Sequence, residues 1–239
     1  TTGGLEDVGL YNAGFAIIGT YVGLVFTAMK TDYYPRLSGV AHDNKMANLL
    51  INQQAEIAVL ILAPIVTVFI IFINWAVIVL YSLEFTPVNG LIQWAALGMY
   101  FKAASWSIAF ILLAKGASKL FFWNELVVNI YMLGLNLLGY YLYGLDGLGI
   151  SFLISYALYF LQVFSLAKYK YKFSFISKFY KIFCIQLSLG ILCFAITMFV
   201  PSPLAYVFGL PFILFSALYS FKELDKRMDL KGIINNYRK

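Results

Sequence analysis

The chain has 239 residues, of which 62% are hydrophobic, 18% aromatic and only 12% charged, and its formal net charge is +6. This composition excludes an ordinary soluble domain, in which about half of the residues are apolar and about a quarter are charged. It predicts a polytopic membrane protein, and we expect no cofactor, no metal ion and no nucleic-acid partner.

Apolar runs of about 20 residues, the length that crosses roughly 30 Å of hydrocarbon, predict seven spans. The runs are long and uninterrupted, which favours helices that satisfy their own backbone hydrogen bonds. The predicted fold is therefore all-α and integral to the membrane, with a helical lobe over residues 1–221 and a basic cytoplasmic tail over residues 222–239. The spans cover approximately residues 8–29, 56–81, 91–113, 120–141, 147–167, 181–200 and 204–221.

Basic residues alternate from one connection to the next. Sixteen of the 17 Lys and Arg residues follow the first, third, fifth or seventh span, and the exception is Lys102. Because Lys and Arg beside helix ends are retained in the cytoplasm, the N-terminus is predicted outside and the C-terminus inside. An odd number of spans and an opening Thr-Thr-Gly-Gly indicate the C-terminal portion of a longer protein.

The connection after the first span is the longest polar stretch. Asn44 is predicted to cap the next helix, and Asn48, Asn52 and Glu56 form a polar stripe on that helix just before Pro64. A proline removes one backbone hydrogen bond and bends a helix. We interpret this region as a wet cytoplasmic gate, with Glu56 as a candidate proton carrier; the alternative is a solvated helix start with an ordinary kink.

Lys102 lies near the middle of the third span, where a lysine costs roughly 2.5–3.5 kcal/mol to insert. Trp94, Gly98, Lys102 and Trp106 recur every four residues, with Ser105 beside them, and so share one helical face. This face suits an anionic, sugar-bearing ligand, because an indole stacks on a sugar ring and an ammonium attracts phosphate. The alternative is that Lys102 is a structural ion-pair partner and the tryptophans pack between helices.

The fourth span carries Glu125 and Asn129 on one stripe, and a short turn at residues 115–119 joins it to the third span. The two helices are expected to pack as a hairpin. Glu125 lies roughly 9 Å along the helix axis from Lys102, so they meet only if both side chains are extended. Glu125 could instead pair with a lysine of the turn, and it is a second candidate for carrying a coupling proton.

The outer connections are short. Residues 144–151, "GLDGLGIS", superficially resemble a phosphate-binding loop but follow no strand, so a tight turn is predicted there. Enzymes that act on membrane-bound sugars usually place paired carboxylates in a sizeable extramembrane loop. We therefore expect no catalytic residue in this chain.

Five segments carry a resemblance to a known family: "AMKTDYYPRLS", "INQQAEI", "LAPI", "YSLEF" and "KAASWSIAFILLAKGASKLFFWNE". They resemble the bacterial O-antigen and polysaccharide flippases, the Wzx-like branch of the multidrug/oligosaccharidyl-lipid/polysaccharide (MOP) exporter superfamily. The resemblance covers most of the chain and weakens after about residue 168. It implies the C-terminal lobe of a MATE-like two-lobe transporter in the inner membrane, with the N-terminus of this segment periplasmic.

The resemblance also implies a function in O-antigen and lipopolysaccharide biosynthesis. Such proteins move undecaprenyl-pyrophosphate-linked oligosaccharides to the periplasmic leaflet by alternating access. The implied partners are that lipid-linked oligosaccharide, membrane lipids, and polysaccharide polymerase and chain-length proteins.

In this interpretation Lys102 offsets the pyrophosphate charge in a hydrated cleft, and Arg36 receives the phosphates first. Arg36 could equally anchor its helix end at the membrane surface. One rival function is a MATE-like antiporter of cationic drugs, which the positive charge at mid-membrane disfavours. Another is a scaffold that recruits glycan-assembly proteins through its basic loops, although such lysines also attract anionic lipid.

Overall fold

The computed structural model describes residues 4–228, with side chains at all of these positions except 21–22, 24–25, 28–29 and 228. This part of the chain is 91% helical and contains no strand. Five of its helices are long and apolar enough to cross a membrane. The all-α class predicted from the sequence is confirmed.

Seven α-helices make up the described part of the chain, with a π-helical turn at Ile18–Val22 and a 3-10 turn at Leu83–Val88. The α-helices are α1 (Leu5–Ile17), α2 (Gly23–Gly39), α3 (Asn44–Leu80), α4 (Asn89–Ala114), α5 (Ser118–Tyr171), α6 (Ser177–Phe199) and α7 (Leu204–Met228). The five that can cross a membrane are α3 to α7.

The first predicted span, residues 8–29, is divided in the structure. It falls on α1, which has 13 residues, on the π-helical turn, and on the start of α2, which has 17. Neither α-helix alone reaches the length of about 20 residues that crosses the hydrocarbon. This span is therefore not among the five apolar helices.

The N-cap of α3 is Asp43, so the prediction that Asn44 caps this helix is wrong. Asp43 has an extended backbone, and its Oδ1 accepts hydrogen bonds from the backbone N–H groups of Lys45 at 2.7 Å and Met46 at 3.3 Å. These hydrogen bonds favour the ionised carboxylate and lower the pKa of Asp43. From this cap α3 runs for 37 residues, and Pro64 lies inside it without ending it.

Helix α5 folds back on itself at Gly144. This residue has φ 60° and ψ −135°, a conformation that glycine adopts readily and that interrupts the 54-residue helix. The hydroxyl of Tyr159 donates to Glu125 Oε1 at 2.6 Å, and Gln162 Nε2 donates to Asn124 Oδ1 at 2.9 Å. The partners in these two hydrogen bonds are separated by 34 and 38 positions in the chain. They can meet only if the two halves of α5 are antiparallel. The chain therefore reverses at Gly144, at the start of the predicted turn, whereas residues 145–151 are helical.

Helices α3 and α4 occupy the interior. In an apolar stretch of 18 residues, 61% of the stretch in α3 is buried, and 72% of the stretch in Leu83–Ala114, which contains α4. The corresponding fraction is 28% in each of α5, α6 and α7. Helix α4 packs most extensively on α5, and α3 packs on α4, α6 and α7. The more exposed apolar helices therefore surround a central pair.

Helix α7 continues to Met228, beyond the predicted end of the membrane lobe at residue 221. The first seven residues of the predicted basic tail, 222–228, are therefore helical. The remainder of that tail lies outside the described residues.

Candidate functional site

A cavity of about 250 Å³ lies between α4 and both halves of α5. Its polar lining combines a cation, a carboxylate and two phenols with a serine and an indole. These residues are Lys102, Ser105 and Trp106 from α4, Glu125 from the first half of α5, and Tyr156 and Tyr159 from the second half. The structure thus brings together four residues that the sequence had singled out, namely Lys102, Ser105, Trp106 and Glu125.

The ammonium group of Lys102 is surrounded by aromatic rings. Its Nζ lies 5.1 Å from the ring centroid of Tyr156, 5.6 Å from that of Phe152 and 5.7 Å from that of Phe26. All three distances fall within the range of about 6 Å over which a ring attracts a cation. Within the described part of the chain this ammonium forms neither an ion pair nor a hydrogen bond.

These ring contacts explain how the charge is tolerated. A single cation–π contact stabilises by about 0.5–2 kcal/mol, so three of them are of the same order as the insertion cost of roughly 2.5–3.5 kcal/mol. Rings do not accept strong hydrogen bonds, however, and an ammonium carries three N–H donors. Lys102 is therefore electrostatically compensated while its donors remain available to an oxygen in the cavity.

Trp106 forms a fixed aromatic wall of the cavity. Its ring lies 4.7 Å from Phe110, 5.7 Å from Phe26 and 5.9 Å from Tyr33, measured between centroids. Tyr33 also donates a hydrogen bond of 2.5 Å to the backbone carbonyl of Ser107 and is fully buried. Because Phe26 and Tyr33 belong to α2, this helix packs against the Trp106 ring.

Glu125 is held by neutral donors. Its Oε1 accepts hydrogen bonds from the Tyr159 hydroxyl at 2.6 Å and from Asn124 Nδ2 at 3.0 Å. None of its three predicted partners, Lys102, Lys115 and Lys119, forms an ion pair with it. Lys102 is enclosed by rings, and Lys115 donates to Asn44 Oδ1 at 2.6 Å. A cation and a carboxylate thus line the same cavity without forming an ion pair.

Trp94 lies outside the cavity, although the four-residue spacing placed it on the face of Lys102. Its ring packs 4.4 Å from that of Phe194 in α6. Between Trp94 and Lys102, Gly98 lies so close to α5 that a Cβ would collide with the Phe152 ring and crowd the backbone of Leu153. The second half of α5 therefore ends the cavity on this side.

Asn129 and Arg36 also lie away from the cavity. Asn129 is exposed and donates to the backbone carbonyl of Glu125, one turn earlier, at 2.7 Å. Arg36 forms an exposed ion pair of 2.9 Å with Asp32. Neither residue contacts the Lys102 ammonium.

The predicted gate residues engage other parts of the fold. Asn52 is buried, donates to the carbonyl of Ser174 at 3.0 Å and accepts from the N–H of Ile176 at 2.9 Å, so it fixes the connection between α5 and α6. Pro64 lies further along α3, where its carbonyl accepts from the Thr67 hydroxyl at 2.9 Å.

Glu56 forms a buried ion pair with Arg227 at the end of α7. Arg227 Nε donates to Glu56 Oε2 at 3.1 Å, and Nη2 of the same guanidinium contacts the same oxygen. The exposed fractions of the Glu56 and Arg227 side chains are 4% and 13%, and Glu223 Oε2 lies 3.5 Å from Arg227 Nη1. Glu56 is thus part of a charge cluster separate from the Lys102 cavity.

Sequence reasoning missed the aromatic residues that α5 contributes. Phe152, Tyr156 and Tyr159 follow the spacing i, i+4, i+7, which places three rings on one helical face. That spacing was a usable signal. No comparable signal pointed to Arg227, because its partner lies 171 residues earlier in the chain.

Comparisons of the chain with protein-family models, with curated proteins and with solved structures found no match. The resemblance to polysaccharide flippases therefore stays a prediction. The arrangement of the site is the remaining basis for a functional conclusion.

Proposed function

We propose that this chain is part of a multi-pass flippase that moves an anionic, lipid-linked glycan across the bacterial inner membrane. The observation that carries the proposal is the ammonium of Lys102, which lies beside a cavity, is enclosed by aromatic rings and has no anionic partner among the described residues. A charge in an apolar span usually faces a substrate path. The substrate class is an oligosaccharide linked to undecaprenyl pyrophosphate.

The chemistry of the cavity supports an anionic headgroup. Pyrophosphate oxygens accept hydrogen bonds from an ammonium, and this interaction is stronger where aromatic side chains exclude water. Trp106 offers an indole beside the lysine for contact with the apolar side of a sugar ring. No covalent step is required, because the substrate is only moved between leaflets.

The helical arrangement fits the proposed topology. If the two halves of α5 cross the membrane separately and α1 with α2 forms one further crossing, the chain crosses seven times. The N-terminus is then periplasmic and the C-terminus cytoplasmic, with the lysine-rich connections in the cytoplasm. Such a unit corresponds to one lobe of a MATE-like transporter, with the substrate path between this lobe and a second one.

The test is complementation of a flippase-deficient bacterial strain by the full-length protein. Lys102→Met is compared with Lys119→Met, which makes the same change at an exposed position in the first helical turn of α5. We expect Lys102→Met to lose most surface polysaccharide at normal membrane expression and Lys119→Met to retain it. Normal surface polysaccharide from well-expressed Lys102→Met would remove Lys102 from the mechanism.

Proton coupling is a separate part of the proposal. Glu125 is the better placed carrier, because it lines the cavity and is bonded by neutral donors, whereas Glu56 is paired with Arg227. We expect Glu125→Gln to abolish the dependence of transport on the proton gradient. Unchanged transport and gradient dependence in both Glu125→Gln and Glu56→Gln would exclude these carboxylates.

A small-molecule antiporter of the MATE type is the second candidate. Glu125 and the aromatic walls of the cavity favour it, since cationic drugs bind to carboxylates and rings. It predicts that drug resistance requires Glu125 and is unaffected or improved by Lys102→Met. Failure of the wild-type protein to restore polysaccharide in several deficient strains, together with such resistance, would favour this function.

A further inference from the structure

A second cavity, of about 600 Å³, lies at the opposite part of the molecule from the lysine-rich connections. It is formed where α3 and α6 end and where α4 and α7 begin. The connections beside it, residues 81–88 and 200–203, contain no Lys or Arg, which predicts that it opens to the outer face. Its polar lining consists of Asn74, Asn89, Gln93, Thr197, Ser202 and Tyr206.

The polar groups of this cavity are only partly used by the protein. Asn89 Nδ2 donates to Asn74 Oδ1 at 2.9 Å, while Asn89 Oδ1 is buried and has no hydrogen-bond partner among the described residues. Gln93 Nε2 donates to the carbonyl of Ile70 at 3.1 Å, which fixes this second amide beside the cavity. A buried acceptor without a partner costs about 1–3 kcal/mol, so this cluster is suited to an external donor.

An aromatic surface adjoins these amides. The ring of Tyr206 lies parallel to that of Phe72, with the centroids 5.4 Å apart and an angle of 5° between the planes. This stacking fixes the orientation of Tyr206. The cavity therefore combines fixed amide groups, hydroxyls and one rigid phenol.

We infer that this outer cavity is a binding site for an uncharged sugar unit. Amide side chains both donate and accept hydrogen bonds, and so do the hydroxyl groups of a sugar. No charged residue lines the cavity, and a charged ligand without a charged partner would lose its hydration at a large cost. The volume is within the range of roughly 300–1,000 Å³ typical of small-molecule sites.

The site is independent of the Lys102 cavity. Gln93 and Lys102 are nine residues apart on α4, or about 13 Å along the helix axis. The two cavities share no lining residue. Sugar binding at the outer cavity therefore does not depend on the transport function proposed above.

The test uses the full-length protein in phosphatidylcholine nanodiscs. Saturation-transfer NMR measures binding of maltose, a free neutral disaccharide, and native mass spectrometry measures binding of diglucosyl-diacylglycerol, which presents the same sugar on a lipid. The variants are Asn89→Leu, which removes the buried amide, and Tyr206→Phe, which removes only a hydroxyl. Asn136→Leu is the matched control on α5, outside the cavity, and Lys102→Met tests the other site.

We expect saturable binding of at least one probe. Asn89→Leu should weaken it at least about tenfold, equivalent to about 1.4 kcal/mol, and Tyr206→Phe should weaken it less. Asn136→Leu and Lys102→Met should leave it unchanged. Binding of maltose identifies free sugar as a source, and binding of the glycolipid alone identifies a lipid-borne sugar.

Two results would overturn the inference. In the first, neither probe shows saturable binding to the folded wild-type protein. The cavity would then hold only water. The other is equal binding by wild type, Asn89→Leu and Tyr206→Phe. Neither result affects the complementation test of Lys102, so the two proposals can fail separately.

Discussion

Two partly buried cations in this protein have opposite surroundings. Arg227 is bonded to Glu56 and lies close to Glu223, so its charge is neutralised by carboxylates. Lys102 is enclosed by three aromatic rings beside a cavity, and the carboxylate that lines the same cavity, Glu125, is bonded to Tyr159 instead. In the first arrangement the charge is paired within the protein, although Glu56 Oε1 has no hydrogen-bond partner among the described residues. In the second, the ammonium has no carboxylate partner and its hydrogen-bond donors are unused.

The difference separates a structural charge from a candidate binding charge. A buried ion pair that loses one partner leaves an uncompensated charge, which is strongly destabilising. Lys102 has no carboxylate partner to lose, because its charge is compensated by ring contacts. Stability measurements on matched variants can therefore test the distinction without knowledge of the substrate.

The largest effect is expected from Arg227→Met. This change leaves Glu56 buried without its partner, and we expect the free energy of unfolding to fall by about 3–5 kcal/mol. Denaturant unfolding in detergent, followed by circular dichroism, measures it. Arg36→Met is the control and should cost no more than about 1 kcal/mol, because Arg36 and Asp32 form an exposed pair. Equal effects of the two changes would contradict the structural role of Arg227.

Tyr159→Phe is expected to have the next largest effect. It removes the 2.6 Å hydrogen bond to Glu125, and bonds to charged groups contribute about 1.5–3 kcal/mol. Tyr156→Phe is the matched control, because Tyr156 lines the same cavity and its ring, which contacts Lys102, is retained. The same unfolding assay should show a clearly smaller loss for the control.

Lys102→Met sharpens the comparison by making the same kind of change as Arg227→Met at the other cation. The insertion cost of roughly 2.5–3.5 kcal/mol is removed, and ring contacts worth about 2 kcal/mol are lost. We expect the free energy of unfolding to rise by about 1 kcal/mol. A loss of stability comparable to that of Arg227→Met would indicate that Lys102 is a structural residue after all.

The smallest effect concerns the exposed cap of α3. Because the pKa of Asp43 is lowered in the folded protein, its stabilising effect is complete above the ordinary carboxyl pKa of about 3.9 and is lost as the pH falls through the lowered value. Hydrogen exchange of the Lys45 and Met46 amides should therefore gain protection as the pH rises through this region, after correction for intrinsic exchange. Asp43→Asn should remove that pH dependence.

Sequence patterns predicted features formed by neighbouring residues better than contacts between residues far apart in the chain. The turn near Gly144 and the packing of the third and fourth predicted spans followed from short connections between apolar runs. The cap of α3 was misplaced by one residue, because Asp43 and Asn44 are both good caps and only the backbone conformation distinguishes them.

The candidate site was only partly predictable. The periodicity of α4 placed Lys102 beside Trp106 and Ser105 correctly, because all three lie within about one helical turn. Over a longer distance the same periodicity failed for Trp94, which α6 covers. Helical spacing gives the face of a residue but does not say which neighbouring helix packs on it.

The sequence by itself determined that this chain is helical and membrane-embedded, because long apolar runs cannot satisfy their backbone polar groups in hydrocarbon except within helices. It also determined that one lysine lies within an apolar span. Only the tertiary structure decided that Glu56 is paired and Lys102 is not. The reason is that electrostatic partners are selected by distances between helices far apart in the chain, and no local pattern contains those distances.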